Sequence, residues 1–287
     1  MTVPARSRFG EGKTLSVASL HVYPIKSLGG FSVEEARTTD RGFEHDRRWM
    51  LVDANGRFIS QREAAAMACL HCSPNADGFR VTDIRDKDAI DLPWGLDRGE
   101  IRRASVWNDE GEVLTAPVEV SAWFADKLGI TCALVFMPES SHRAVDQNYA
   151  RGITSLSDGF PYLILSQASL DDLNERITPS GSPGWREKIP MDRFRPNIVI
   201  AGGSAFQEDG WKDVTIGAAR FSLVKPCARC AIPTIDQRTG ELGKEPTRTL
   251  ATYRRRVGSE GQVKVEFGMN AMAVEGLLVR TGDVVVA

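Results

Sequence analysis

The sequence predicts an α+β protein made mainly of antiparallel strands that curl into barrel-like sheets. Three observations support this class. Short strand-like runs bounded by turn residues fill most of the 287-residue chain, helix-like segments are few, and the two do not alternate as they do in βαβ units. A chain of this length folds as one large domain or as two modest ones.

The first half of the chain, to about residue 135, predicts short strands with a single helix. Asn55-Gly56 lies between two strand-like runs and predicts the turn of a hairpin. Residues 121–128 present one apolar face, and Gly129 follows as a stop signal, so we expect a helix there. Strands are expected over 17–23, 48–53, 57–60, 78–82, 101–106, 113–115 and 118–120.

The second half follows a polar stretch, 142–156, which predicts either a linker or a long functional loop. The helical spacing of Leu170, Leu173 and Ile177 predicts a helix over 167–177. A short basic helix is expected over 247–256. Strands are expected over 162–166, 197–201, 214–216, 219–224, 263–267 and 284–286.

Charge and hydrophobicity exclude two classes of partner. The formal net charge is -2, so no overall positive field would attract a nucleic acid. No run reaches the ~20 apolar residues that a membrane-spanning helix needs, and no signal peptide is evident. Five cysteines are an odd number, which indicates reduced thiols, and we expect a cytoplasmic protein.

Cys227 and Cys230 form a C-x-x-C pair among cations. A thiolate is a donor that soft or redox-active metals select. Arg229, between the two cysteines, and Lys225 would lower a thiol pKa and attract an anionic cofactor. Prolines on both sides restrict the loop. The alternative is a pair of buried structural thiols with a surface arginine between them.

Lys26 and Ser27 follow a strand-like run that ends at Tyr23-Pro24, and they lead into Gly29-Gly30. A lysine charge, a hydroxyl and glycines that admit backbone N–H groups suit a phosphate or an oxyanion. The spacing is not that of a nucleotide-binding P-loop. The alternative is a plain turn with a solvated lysine.

Arg47 and Arg48 follow Asp46 at the predicted start of a strand. In a strand the two arginines would point to opposite faces, with Asp46 able to pair with Arg48 on its own face. A buried arginine needs an anionic partner, since an unpaired buried charge costs several kcal/mol. The alternative leaves both guanidiniums at the surface.

Arg193, Arg195 and Asn197 alternate at a period of two and would share one strand face. Two guanidiniums and an amide on one face indicate an anion-binding edge. The alternative is a structural network with Asp192 or Glu208.

Cys69 and Cys72 form a second C-x-x-C pair, which with Cys227 and Cys230 could nominally make a zinc site. The two pairs lie far apart in sequence, and the first follows an alanine-rich segment. We therefore interpret Cys69 and Cys72 as small core residues. The four histidines are not clustered, so a metal would be held largely by sulfur.

Five motifs in order resemble the MOSC proteins, the family named for the C-terminal domain of molybdenum-cofactor sulfurase. The resemblance points to the branch that contains the mitochondrial amidoxime-reducing component and its bacterial relatives. The matching motifs are Tyr23-Pro24-Ile25-Lys26-Ser27, Asp46-Arg47-Arg48-Trp49, Ser157-Asp158-Gly159-Phe160-Pro161, Phe194-Arg195-Pro196-Asn197, and Cys227-Ala228-Arg229-Cys230 with Thr234 and Asp236.

The resemblance implies an N-terminal β-barrel domain over 15–135 and a MOSC domain over 150–287. It implies that Cys230 is the protein ligand to molybdenum, and that Asp158 lies in a loop lining the same site. The residues it assigns to the pterin and phosphate of the molybdenum cofactor (Mo-molybdopterin) are Lys26, Ser27, Arg47, Arg195 and Asn197. Leu28 and Gly159-Phe160 depart from some relatives, which bears on substrate preference.

The implied activity is a molybdenum-dependent reduction of small N-hydroxylated substrates, in which Asp158 or Asp236 would relay protons. No cysteine follows Cys230, so a fused iron–sulfur domain is not expected. Electrons would come from a separate protein, such as a ferredoxin, a cytochrome b5-like protein or a flavin reductase. The alternatives are a cofactor carrier or sulfur-transfer protein with a cysteine persulfide, and a zinc-stabilised binding module.

Overall fold

The computed structural model describes residues 14–177, 188–257, 261–274 and 276–287. These residues include three α-helices, α1 (Val118–Leu128), α2 (Gln167–Ile177) and α3 (Thr247–Tyr253). The strands, in chain order, are β1 (Ser16–Val22), β2 (Phe31–Val33), β3 (Glu35–Thr39), β4 (Gly42–Phe43), β5 (Trp49–Val52), β6 (Leu70–Pro74), β7 (Gly78–Asp83), β8 (Ala89–Pro93), β9 (Ile101–Val106), β10 (Asp109–Thr115), β11 (Ala133–Phe136), β12 (Arg143–Ala144), β13 (Ile153–Thr154), β14 (Tyr162–Ser166), β15 (Ile198–Ala201), β16 (Asp213–Ile216), β17 (Ala219–Ala228), β18 (Arg255–Val257), β19 (Val263–Ala273), β20 (Leu278–Arg280) and β21 (Val285–Val286).

A nine-stranded sheet contains most strands of the second half and also the first two strands of the chain. Its order is β2-β1-β15-β14-β19-β17-β16-β21, and β18 pairs with β19. β1 lies antiparallel to β15, with Leu20 opposite Ile198. The turn that follows β1 is thereby fixed beside the start of β15, which places Lys26 and Asn197 in one region.

One strand pair in this sheet is parallel. β14 and β15 run side by side with Ile164 opposite Ile198, and α2 lies in the connection between them. Parallel neighbours need a long crossover, for which a helix is the usual form. The sequence did not predict this βαβ unit, although the α+β class with mainly antiparallel strands is confirmed.

The strand β14 is buried along its whole length because it separates two apolar clusters. Tyr162 and Ile164 belong to the cluster that extends along the large sheet, while Leu163 and Leu165 belong to the cluster that includes the buried face of α2. A strand covered on both faces has a continuous apolar sequence. This is why residues 162–166 were predicted correctly as a strand.

Two smaller sheets contain most strands of the first half, with the orders β5-β11-β10-β9 and β6-β7-β8, while β3 and β4 pair with β20 in a third small sheet. Trp49, Phe79 and Phe124 lie in the core between the first two, and Phe124 belongs to α1. The predicted strands over 78–82, 101–106 and 113–115 all lie in these sheets.

Two predicted segments have a different type of secondary structure in the molecule. Residues 118–120 form the first turn of α1, because Pro117 begins the helix, where its missing N–H costs nothing. The β-branched Val118 and Val120 had favoured a strand. The predicted helix over 247–256 ends at Tyr253, and the chain then enters β18, which is held by β19.

The predicted hairpin and the predicted loop also differ from expectation. Gly56 makes the turn with a φ of +78°, but beyond it residues 57–60 form only isolated bridges, such as Val52 with Phe58. The polar stretch 142–156 contains a small hairpin, in which Arg143 pairs with Thr154. No helix within the described ranges is long and apolar enough to cross a membrane.

Candidate functional site

A cleft brings together all seven residues that the sequence assigned to cofactor binding. Its empty volume, including space that is open to solvent, is about 810 Å³. The predicted residues that line it are Lys26, Ser27, Arg47, Asp158, Arg195, Asn197 and Cys230, and Cys227 lines it as well. They come from turns and strand ends of both halves of the chain, which explains why no single stretch of sequence contains the site.

Lys26 and Asp158 form an ion pair at one end of the cleft. Lys26 Nζ donates to Asp158 Oδ1 over 2.6 Å and to the carbonyl oxygen of Leu156 over 2.9 Å. Burial lowers the pKa of Lys26, and the Asp158 carboxylate opposes that shift. For Asp158, whose side chain is 64% exposed, desolvation raises the pKa, but Lys26, the hydrogen bond from Trp107 and the charge of Arg62 together hold it below its ordinary value. Asp158 is therefore ionised at neutral pH.

Arg47 lies in a turn with a φ of +48°, and not on the strand that the sequence predicted. Its guanidinium donates to Asp46 Oδ2 over 2.6 Å, to Asn197 Oδ1 over 3.1 Å and to the carbonyl oxygen of Arg195 over 3.0 Å. The expected pairing of Asp46 with Arg48 is wrong, since Arg48 pairs with Glu139. Both arginines are buried and both have anionic partners.

The expected shared face of Arg193, Arg195 and Asn197 is also wrong. Residues Met191–Phe194 form a 3-10 turn, Arg195 takes a left-handed conformation with φ +56°, and the strand begins only at Ile198. Arg195 and Asn197 line the cleft. Arg193 instead pairs with Asp236 over 2.7 Å. Asp236 therefore does not line the cleft.

Two guanidiniums lie close to the ring of Tyr23. The guanidinium carbon of Arg47 lies 4.3 Å from the ring centroid, and that of Arg195 lies 4.4 Å from it. Burial, and then the nearby charge of Arg47, lower the pKa of Arg195 to about 10. Among the described residues, the buried Arg195 Nη2 has no hydrogen-bond partner. Two adjacent cations with an unsatisfied donor form a site that an anion would stabilise.

The cysteine pair lies at the end of β17 and in the turn after it. Arg229 Nη1 donates to Cys227 Sγ over 3.1 Å, and Arg229 Nη2 donates to the carbonyl oxygen of Phe194 over 2.8 Å. Cys230 Sγ accepts a long contact, 3.5 Å, from the backbone N–H of Ile232. Both cysteines are half-buried and line the cleft, so both sulfurs are available to a ligand there.

The second cysteine pair is structural, as the sequence predicted. Cys69 and Cys72 are both buried, and burial raises the pKa of Cys72 to about 12. Within the described part of the chain, no group of three or more histidines, cysteines or acidic residues could hold a metal ion. A four-cysteine zinc site therefore has no support.

Sequence reasoning missed Arg143, which supports the loop that contains Asp158. Its guanidinium donates to the carbonyl oxygens of Ser155, Ser157 and Asp158, and it pairs with Asp109. It is one of two arginines in the polar stretch 142–156, and nothing in the sequence distinguishes it from Arg151. Phe58 and Arg62, which also line the cleft, were missed because they follow the predicted hairpin turn and match no motif.

Two family models together match most of the chain. Residues 14–131 match the MOSC N-terminal beta barrel domain, and residues 152–286 match the MOSC domain. Mitochondrial amidoxime-reducing component 1 from mouse is 31% identical, with 83% of this chain covering 71% of that protein. The chain belongs to the MOSC family.

Further MOSC relatives carry two different names. Mitochondrial amidoxime-reducing component 1 from human is 30% identical, with 88% of this chain covering 75% of that protein. Molybdenum cofactor sulfurase from Oryza sativa subsp. japonica is 31% identical over 89% of this chain. The chain spans about a third (32%) of the length of that sulfurase. The predicted family is thus confirmed. These relatives belong to two functional classes, amidoxime-reducing components and molybdenum cofactor sulfurases.

Proposed function

We propose that this protein is a molybdenum-cofactor-dependent reductase of small N-hydroxylated substrates, such as amidoximes and hydroxylamines. One observation carries the proposal: a half-buried cysteine lines the same cleft as two adjacent guanidiniums, one of which has a buried N–H without a partner. A soft metal ligand beside an anion site matches the molybdenum cofactor, which combines a metal with a phosphate-bearing pterin.

The residues of the cleft fit this cofactor. Arg47 and Arg195 would hold its phosphate, because the two charges lie close together along the cleft and Arg195 Nη2 has no acceptor among the described residues. Lys26, Ser27 and Asn197 line the same cleft and would bind the remaining polar groups. When bound, the cofactor supplies the two electrons that, with two protons, convert an N–OH group to N–H and water.

Cys230 is the proposed metal ligand. Cys227 Sγ already accepts a hydrogen bond from a guanidinium at 3.1 Å, which reduces its electron density for bonding to a metal. Cys230 Sγ has only a long backbone contact, so its lone pairs are more available. The backbone N–H of Ile232 and the buried Pro233 fix the turn in which Cys230 is held.

Proton transfer is proposed for the Lys26–Asp158 pair. Burial lowers the pKa of Lys26, which makes its ammonium group a better proton donor toward the cleft. Once Lys26 has given up its proton, Asp158 loses the charge that keeps its pKa low, and its exposed carboxylate would pass a replacement proton from solvent to Lys26. The relay role predicted for Asp236 has less support, because Asp236 pairs with Arg193 and does not line the cleft.

The proposed partners are a small N-oxygenated substrate and a separate electron donor of the ferredoxin, cytochrome b5-like or flavin-reductase class, in the cytoplasm. The relatives named amidoxime-reducing components support this reaction class.

The test is reduction of benzamidoxime by cofactor-loaded protein with an artificial electron donor. We expect Cys230→Ala to abolish turnover and Cys227→Ala to retain much of it. The proposal fails if wild-type protein with a full complement of molybdenum reduces no N-hydroxylated compound.

A second candidate is a sulfur-transfer protein with a persulfide on Cys227. The contact of Arg229 with Cys227 Sγ favours it, since a guanidinium stabilises an anionic sulfur. Mass spectrometry of protein purified without reductant distinguishes the two. An additional sulfur atom on Cys227, without stoichiometric molybdenum, would support this second function.

A further inference from the structure

An aromatic and cationic cluster lies at the rim of the cleft and has no role in the proposed cofactor site. It consists of Phe58, Arg62 and Trp107, called here the rim cluster. Phe58 and Arg62 line the cleft, and Trp107 contacts both of them from outside. Trp107 is 50% exposed, which is unusual for so large an apolar side chain.

The backbone of Trp107 is strained. Trp107 is the first residue of the two-residue turn between β9 and β10, where Val106 pairs with Asp109, and its φ is +57°. A hairpin turn with a positive φ at this position normally has glycine there. For a bulky side chain the conformation costs about 1–3 kcal/mol. Residues with a strained backbone are found mainly at functional sites.

Neighbouring residues hold the indole of Trp107 against the cleft. Its Nε1 donates to Asp158 Oδ1 over 3.3 Å, which connects it to the proton-transfer pair. The ring of Phe58 meets it at a centroid distance of 5.0 Å and an angle of 63°. Phe58 itself is buried, so it supports Trp107 from behind, and the exposed indole of Trp107 offers the apolar surface beside Asp158 on which a planar molecule could stack.

Arg62 is a cation near Asp158, and its charge helps to lower the pKa of that carboxyl, but the two groups form no direct ion pair. Within the described ranges its guanidinium makes no hydrogen bond and no ion pair, and it lies 4.5 Å from the ring of Trp107 and 5.8 Å from that of Phe58. Arg57, on the same loop, instead pairs with Glu63 over 2.6 Å. A stacked guanidinium keeps its N–H edge free, and that edge matches the two oxygens of a carboxylate.

We propose that the rim cluster selects substrates that are planar, aromatic and anionic, namely aryl amidoximes with a carboxylate on the ring. This inference rests on the proposed function. The ring stacks on Trp107, the carboxylate binds Arg62 at the rim, and the N-hydroxyl end extends into the cleft towards Cys230. Specificity thus comes from residues that lie outside the matched family motifs.

The experiment compares binding of three probes to cofactor-loaded protein by calorimetry: 4-carboxybenzamidoxime, benzamidoxime and the aliphatic acetamidoxime. Molybdenum content is measured for every variant. We expect Arg62→Met to weaken binding of the carboxylated probe by about tenfold more than binding of benzamidoxime. The control, Arg57→Met, removes an exposed and ion-paired arginine and should leave the ratio between the two probes unchanged.

Trp107→Gly separates a binding role from a structural one. Glycine accepts the positive φ, so the midpoint of thermal unfolding should stay constant or rise. Binding of both aryl probes should weaken by roughly fivefold relative to acetamidoxime, because the stacking surface is lost. If Trp107 had only a structural role, Trp107→Gly would lower the stability and leave the affinity for the aryl probes relative to acetamidoxime unchanged.

Two outcomes would overturn the inference. The first is that Arg62→Met leaves the ratio of the affinities for the carboxylated and the neutral probe unchanged. The second is that this variant loses molybdenum, which would assign Arg62 to cofactor binding. The proposed function fails separately, through absence of turnover in wild-type protein, because probe binding is measured without turnover.

Discussion

Replacing Arg195 with methionine should stabilise the cofactor-free protein and weaken its hold on the cofactor. The reason is that the Arg195 charge is unfavourable until an anion arrives. Its pKa is lowered well below the usual value for arginine, to about 10, first by burial and then by Arg47, and its Nη2 has no partner among the described residues. Methionine keeps an apolar stem against the ring of Tyr23 without the charge.

The expected magnitudes follow from these values. Each pKa unit corresponds to about 1.4 kcal/mol, so the charge costs on the order of 3 kcal/mol. Because the unfolded chain binds this proton more tightly, the cost is complete at neutral pH and disappears as pH rises from about 10 towards 12.5. Losing the hydrogen bond from Arg195 to the carbonyl oxygen of Leu28 removes about 1–2 kcal/mol of stability. The net gain is about 1–2 kcal/mol.

The cofactor should respond in the opposite direction. A hydrogen bond from a charged donor contributes about 1.5–3 kcal/mol, so Arg195→Met should weaken cofactor retention by roughly 10–100-fold. Urea unfolding of protein produced without molybdate measures the first effect, and molybdenum content after dialysis of loaded protein measures the second.

Arg41→Met is the control. Arg41 is buried like Arg195, but it pairs with Asp40 over 2.8 Å and does not line the cleft. Breaking that pair should lower the free energy of unfolding by about 1–3 kcal/mol and leave the molybdenum content of the folded fraction unchanged. The reasoning is refuted if Arg195→Met destabilises the empty protein by several kcal/mol and still retains molybdenum like the wild type.

Two further predictions concern the thiols and the backbone. A thiol reagent at pH 8 should modify the two cleft cysteines rapidly and spare the buried Cys69 and Cys72, as peptide mass spectrometry would show; fast labelling of Cys72, whose pKa is about 12, would contradict its burial. Gly30→Ala would place a methyl group 2.4 Å from the carbonyl oxygen of Val22, so we expect a loss of about 2–4 kcal/mol in urea unfolding. Gly210→Ala, with nothing within 4 Å of the added carbon, is the control that should change little.

The sequence predicted what depends on local pattern. The alternation of Ala219, Phe221 and Leu223 with polar neighbours matches the buried face of β17, and Leu170 and Leu173 lie on the buried face of α2 as expected. The ordered motifs indicated the family, and the chemical types of the cleft residues indicated a metal and an anion.

Partner choice and backbone conformation were not predictable. Arg47 and Arg195 both take a positive φ, which is rare for arginine and leaves no mark in the sequence. Strand alternation therefore gave the wrong neighbours for Arg48 and Arg193. The parallel pairing of β14 with β15 was missed for another reason. A single β-α-β unit does not produce the repeated alternation of strands and helices by which parallel sheets are recognised in a sequence.

The central claim, that Cys230 contributes a sulfur ligand to molybdenum, is tested most directly by X-ray absorption at the molybdenum edge. Spectra of cofactor-loaded wild type, Cys227→Ala and Cys230→Ala are compared. The account predicts one sulfur neighbour fewer in Cys230→Ala alone. An unchanged sulfur shell in Cys230→Ala, or a loss only in Cys227→Ala, would contradict it.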